Sequence, residues 1–71
     1  MKTFAEILRE TRIKRGIKQY QLADMVGVGN NTIWNYERGE SVPNLYTAAD
    51  IAKALGVSID YLVYGEEVRK R

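Results

Sequence analysis

Three asparagines, Asn30, Asn31 and Asn35, and the only tryptophan, Trp34, fall within six consecutive positions of a 71-residue chain. A side-chain amide carries a donor and an acceptor side by side, the pair that matches N6 and N7 of adenine. If Ile33 and Tyr36 point inward from a helix here, then Asn30, Asn31, Trp34 and Asn35 point outward. The plainer alternative is that Asn30 and Asn31 only support a helix start. Groups for covalent chemistry are scarce. Cysteine and histidine are absent, which removes disulfides, thiolate chemistry and the usual zinc sets together. There is no Gly-rich phosphate loop, and carboxylate pairs such as Glu66–Glu67 read as solvated surface. Neither catalysis, nor a metal, nor a cofactor is expected.

Charge points to a different kind of partner. Residues 1–39 hold seven Lys/Arg against four Asp/Glu, whereas residues 40–71 hold four against five. The density is greatest from Arg9 to Lys18, where five cations accompany one acid, Glu10. Taken alone this would be a solvated helix face. Beside a suitable reading element it is the local positive field that phosphate contact requires. No run approaches the roughly 20 apolar residues of a membrane span, and the opening MKTFAEILRE has acids within its apolar part, unlike a signal peptide. A cytoplasmic setting fits.

The elements that would position these groups are short helices. Thr3 and Glu6 have capping-box spacing, and Phe4, Ile7, Leu8 and Thr11 follow at i, i+3, i+4, i+7, so helix 1 runs to about Arg15, before Gly16. Leu22 and Val26 share one face of helix 2, and Ile33 and Tyr36 one face of helix 3. Gly27, between Val26 and Val28, can enter the left-handed conformation and redirect the chain. Ala23 stands where the two helices approach. A helix, a Gly turn and a second helix at a steep angle form a helix-turn-helix. Gly39 stops helix 3. Asn44 caps helix 4, with an apolar face of Leu45, Ala48, Ile51, Ala52 and Leu55; Ser58 caps helix 5, with Ile59 and Leu62 inward. The expected fold is all-α, five helices in one domain over 1–65, with 66–71 a polar mobile tail. A core of this size supplies only about 3–5 kcal/mol.

The stretch QYQLADMVGVGNNTIWNY, Gln19 to Tyr36, resembles the helix-turn-helix of the XRE-type, phage-repressor and Cro-like regulators. Ala23, Gly27 and the apolar Leu22, Val26, Val28, Ile33 and Tyr36 occupy the pattern positions without a miss. The likeness continues in GIKQ before it, YERGESVPNL after it, and IAKALGVSIDYL near the end, covering roughly residues 4 to 65. It implies a lambda-repressor-like domain that binds double-stranded DNA and regulates transcription, most simply as a repressor.

The resemblance also implies roles. Asn30, Asn31 and Asn35, with Thr32 between, map to base-reading positions. Gln19, at the start of helix 2, maps to a phosphate contact that also steadies the reading residues. Lys18 and Arg38 flank the motif as further backbone contacts. The loop after helix 3 has an acid and no base, so Ser41, Asn44 and backbone N–H groups would serve there. Lys18 stands where the family places a Ser or Thr cap, and lysine cannot cap a helix. Arg12 and Glu37 match a structural ion pair joining helix 1 to the end of helix 3. Three readings of Trp34 stay open: contact with a thymine methyl or sugar, packing over Val42, or burial against a partner chain. Tyr61, Val63 and Tyr64 are candidates for a homodimer interface that would set two helices 3 about 34 Å apart, on an inverted repeat. The alternative is an antitoxin-like module that also binds a protein partner.

Overall fold

The computed structural model describes residues 2–66, so the expected tail, apart from Glu66, lies outside the described residues, as does Glu67. Five helices follow one another: α1 (Phe4–Lys14), α2 (Gln19–Val26), α3 (Asn30–Arg38), α4 (Leu45–Leu55) and α5 (Ile59–Tyr64). No strand occurs among the described residues. Each helix starts and stops for a local reason. Thr3 accepts from the Glu6 N–H while the Glu6 carboxylate accepts from the Thr3 N–H at 2.9 Å, completing the capping box. Asn44 and Ser58 accept from the Thr47 and Tyr61 N–H groups at 2.8 and 3.0 Å. Gly27 ends α2 at φ 74°, a left-handed conformation that glycine enters cheaply. The Val28 N–H then reaches back to the Ala23 carbonyl at 3.0 Å, which fixes the direction of exit.

The starts of α2 and α3 lack a side-chain cap, Gly29 before α3 having no side chain to offer. Lys18 offers no acceptor, so its side chain caps nothing, and only the reciprocal half of a box forms: the Lys18 N–H donates to Gln21 Oε1 at 2.8 Å.

One side chain or more from every helix is sealed from water at the centre: Leu8, Leu22, Ile33, Ile51, Leu55 and Leu62. Ile7, Ala23, Tyr36 and Ala52 complete that cluster, and Phe4, Ile17, Val26, Val28 and Ile59 pack half-buried around it. Ala23 is 2% exposed where α2 packs on α3. α1 packs on α3 and α5, and α4 on α2 and α5, so α3 is held between α1 and α2. One expected core position is not in the core. Leu45 is 68% exposed, because the first turn of α4 overhangs the body and the buried stripe begins later, at Ile51 and Ala52, beyond half-buried Ala48.

Ala23→Leu should overpack the α2–α3 contact and destabilise the domain by about 1–3 kcal/mol. Ser58→Ala should cost about 1 kcal/mol and Lys18→Ser should gain a similar amount; the midpoint of urea unfolding, at unchanged slope, checks all three. The hydrogen bond from the Thr3 backbone, aided by the Thr3 hydroxyl, holds the Glu6 carboxyl below its ordinary value. Its contribution is therefore present above the ordinary carboxylate pKa and is lost as pH falls through the lowered one. Glu6→Gln should flatten that acid limb of the stability profile.

Candidate nucleic-acid interface

Behind the outer face of α3 lies a charged lock. The Arg12 guanidinium donates from Nε to Glu37 Oε2 at 2.6 Å and from Nη2 to Glu37 Oε1 at 3.0 Å. Its Nη1 donates to the Ile17 carbonyl at 2.8 Å. Gln19 Nε2 adds a fourth bond, to Glu37 Oε1 at 3.1 Å. The Arg12 and Glu37 side chains are only 11% and 3% exposed. Taking both ions out of water is costly, and it is offset only because the planar fork meets both carboxylate oxygens and the remaining donor finds a carbonyl. The lock joins α1, the α1–α2 turn, the first residue of α2 and the last turn of α3.

On the side of α3 away from buried Ile33 and Tyr36, and flanking Glu37, Asn30, Asn31 and Asn35 share one sector, with Thr32 outside it. Asn30 and Asn31 are exposed, while Thr32 and Asn35 are half-buried. Trp34, 47% exposed, lies among them, and the Arg38 guanidinium sits over its ring, 4.1 Å from the centroid. Arg38 Nη2 also stands 3.8 Å from Glu40 Oε2. Trp34 thus has a partner that none of its three expected roles included, although an aromatic and an arginine four apart on a helix is a readable signal. Glu40 begins the following loop with its N–H on the Asn35 carbonyl at 3.0 Å. Ser41 and Asn44 are exposed on that loop, and Lys18 is exposed beside the start of α2. Asn44 has its Oδ1 engaged as the cap of α4, so its amide NH2 is the group left to contact a partner.

Gln19, expected at phosphate, is half-buried and has one amide hydrogen on Glu37. That bond escaped sequence reasoning because only the packing of α2 on α3 brings Gln19 to Glu37, and the one from Arg12 to Ile17 because it depends on how the turn between α1 and α2 folds back. At the far end, Tyr61 is half-buried against the core, while Val63 and Tyr64 are 47% and 57% exposed. Val42, Leu45 and Tyr46 are exposed as well. Among the described residues no cluster of acids could hold a metal ion, and no helix is long and apolar enough to cross a membrane.

A helix-turn-helix family model matches residues 8–62, which includes α2, α3 and all six sealed core side chains. The chain belongs to the XRE and Cro-like helix-turn-helix family. It is similar to the cryptic phage CTXphi transcriptional repressor RstR of Vibrio cholerae, 39% identical over 64 residues, covering 90% of this chain and 58% of that one. It is also similar to the HTH-type transcriptional regulator ImmR of Bacillus subtilis, 38% identical over 90% of this chain and 50% of that one. The chain thus spans between half and three fifths of the length of these two relatives. In fold it superimposes on the P22 c2 repressor in complex with a synthetic operator, with a TM-score of 0.88 and 39% identity, over 93% of this chain and 100% of that one.

Glu37→Ala strands the Arg12 charge and should cost about 3–5 kcal/mol, close to the whole stability of so small a domain. Arg12→Met combined with Glu37→Leu should recover most of that loss. Urea unfolding of the single and double variants is the measurement; a double variant as unstable as Glu37→Ala would contradict this account of the lock.

Proposed function

We propose that this helix-turn-helix domain binds double-stranded DNA sequence-specifically, places α3 in the major groove, and regulates transcription as a repressor. The observation that carries the reading is one helix with two unlike sides. Its inner side buries Ile33 and Tyr36, Glu37 at the edge bolts it to α1 and α2, and its outer side presents Asn30, Asn31, Trp34 and Asn35. Amide side chains on a rigid helix suit bidentate contact with adenine, worth about 1–3 kcal/mol of discrimination for each good pair. The start of α2, with Lys18 and the half-used Gln19 amide, supplies donors for phosphate, and Arg38, Ser41 and Asn44 supply them across the groove. The names of RstR and the P22 c2 protein as repressors support the direction of regulation. Repression would follow where the bound site overlaps a promoter.

Two copies pairing through the α5 end, with Tyr61, Val63 and Tyr64 at the contact, would read both halves of an inverted repeat one DNA turn apart. The exposure of Val63 and Tyr64 supports that arrangement.

Selection of sites from random duplex DNA tests the proposal directly. An inverted repeat rich in A·T pairs is expected; weak binding with no recovered motif would overturn sequence-specific reading. Asn31→Ala should relax the site preference and leave binding to unrelated duplex nearly intact. Raising salt from about 50 to 200 mM should weaken binding by roughly 10³–10⁵ if about 6–10 phosphates are contacted per dimer.

A further inference from the structure

From Gln19 to Ala52, a span that includes α2, α3, the following loop and most of α4, the sequence holds a single Lys or Arg, and that residue is Arg38. Where this cation points therefore bears heavily on how the surface around α3 meets a polyanion. At about 100° per residue, Asn30, Trp34, Arg38, Asn31 and Asn35 follow one another across a sector of roughly 140°. Trp34 and Arg38 thus lie within the reading face, one turn apart. The guanidinium rests over the indole at 4.1 Å.

We infer that Trp34 is a positioning residue: its indole holds the Arg38 guanidinium ready to receive a DNA backbone phosphate. The inference rests on the DNA-binding reading above and adds a role within it. Three observations support it. The indole face holds the guanidinium by its charge and offers no lone-pair acceptor, so the Arg38 N–H groups remain available for a bidentate phosphate contact. The nearest carboxylate oxygen, on Glu40, is 3.8 Å away, beyond hydrogen-bond distance, so it attracts Arg38 without occupying a donor. The Arg38 side chain is 46% exposed even while stacked. A free arginine would lose much rotamer freedom on meeting phosphate; one already resting on a rigid ring loses less. Glycine ends α3 at the next residue, so Arg38 stands at the last turn of the helix, where a groove-bound helix approaches the strand edge rather than the bases.

The test is a double-mutant cycle of Trp34→Ala and Arg38→Ala, measured on the duplex recovered by selection and on a random-sequence duplex. Trp34 is exposed, so both variants should fold, and thermal unfolding verifies this. Trp34→Ala should weaken binding about two- to fivefold on both duplexes, the range of an exposed cation–π contact. In the Arg38→Ala background the same change should have no further effect. Arg38→Ala should lower the salt slope by about one. Trp34→Phe, which keeps a ring face, should restore part of the affinity, and Trp34→Leu should not. As Trp34 is the sole tryptophan, its emission in the free protein should shift in Arg38→Ala, reporting the stack without DNA. Unchanged emission overturns the inference. So does a Trp34→Ala loss that persists undiminished without Arg38, or one confined to the selected duplex, which would make Trp34 a base contact. If the unaltered protein binds no duplex, the proposed function itself fails, and this inference with it.

Discussion

Everything outward on α3 depends on the Arg12–Glu37 pair at its edge. An α-helix of nine residues has little stability of its own, and its apolar inner side, Ile33 and Tyr36, fixes its depth in the core better than its rotation. Four hydrogen bonds converging on Arg12 and Glu37 supply the missing constraint, since each has an angular optimum that dispersion contacts lack. The pair is nearly dry, so it cannot be exchanged for water without a large penalty. Its presence in a domain with so small a core is better understood as a device for geometry than as a source of net stability.

That constraint distributes work among the other elements. α1 contributes Leu8 to the core and Arg12 to the lock from the same helix, four residues apart. α2 begins at Gln19, whose amide touches the same carboxylate as Arg12, so the first turn of α2 and the last turn of α3 are tied through one side chain. The weak cap at Lys18 is tolerable in that setting, because Gln19 and the Gln21 bond to the Lys18 N–H hold the helix start by other means. α4 and α5 complete the core and leave apolar side chains outside it, Leu45 and Tyr46 at one end and Val63 and Tyr64 at the other.

The outer face of α3 shows how a small module divides its polar groups. Asn30 and Asn31, near the helix start, are exposed and uncommitted to the fold, whereas Asn35 is half-buried and its carbonyl receives the loop at Glu40. Arg38 and Trp34 satisfy one another on the surface without any contribution from the core. A face built in this way can change its side chains with little consequence for folding, and the fold can persist while the sequence it reads is altered.

Much of this was legible in the residues themselves. Thr3, Asn44 and Ser58 announce helix starts through an acceptor side chain, and Gly27, Gly39 and Gly56 announce stops, because both signals act within one turn of chain and need no tertiary partner. The apolar spacing of Leu22, Val26, Ile33 and Tyr36 likewise set which sides of α2 and α3 face inward, and the order of motifs led to the family. Only the folded chain decided the rest. Leu45 follows the apolar period of α4 yet lies in water, since periodicity gives a direction around the helix and not the extent of the body beneath it. Gln19 meets Glu37 where α2 packs on α3, and Ile17 meets Arg12 across the turn before α2, at spacings no local rule encodes. The Arg38 contact with the Trp34 ring is the intermediate case, an i, i+4 pair readable from spacing once α3 is placed, whose exposure the packing of α3 decided. Local hydrogen bonding and periodicity are written along the chain; rotation, reach and burial exist only once the helices are packed.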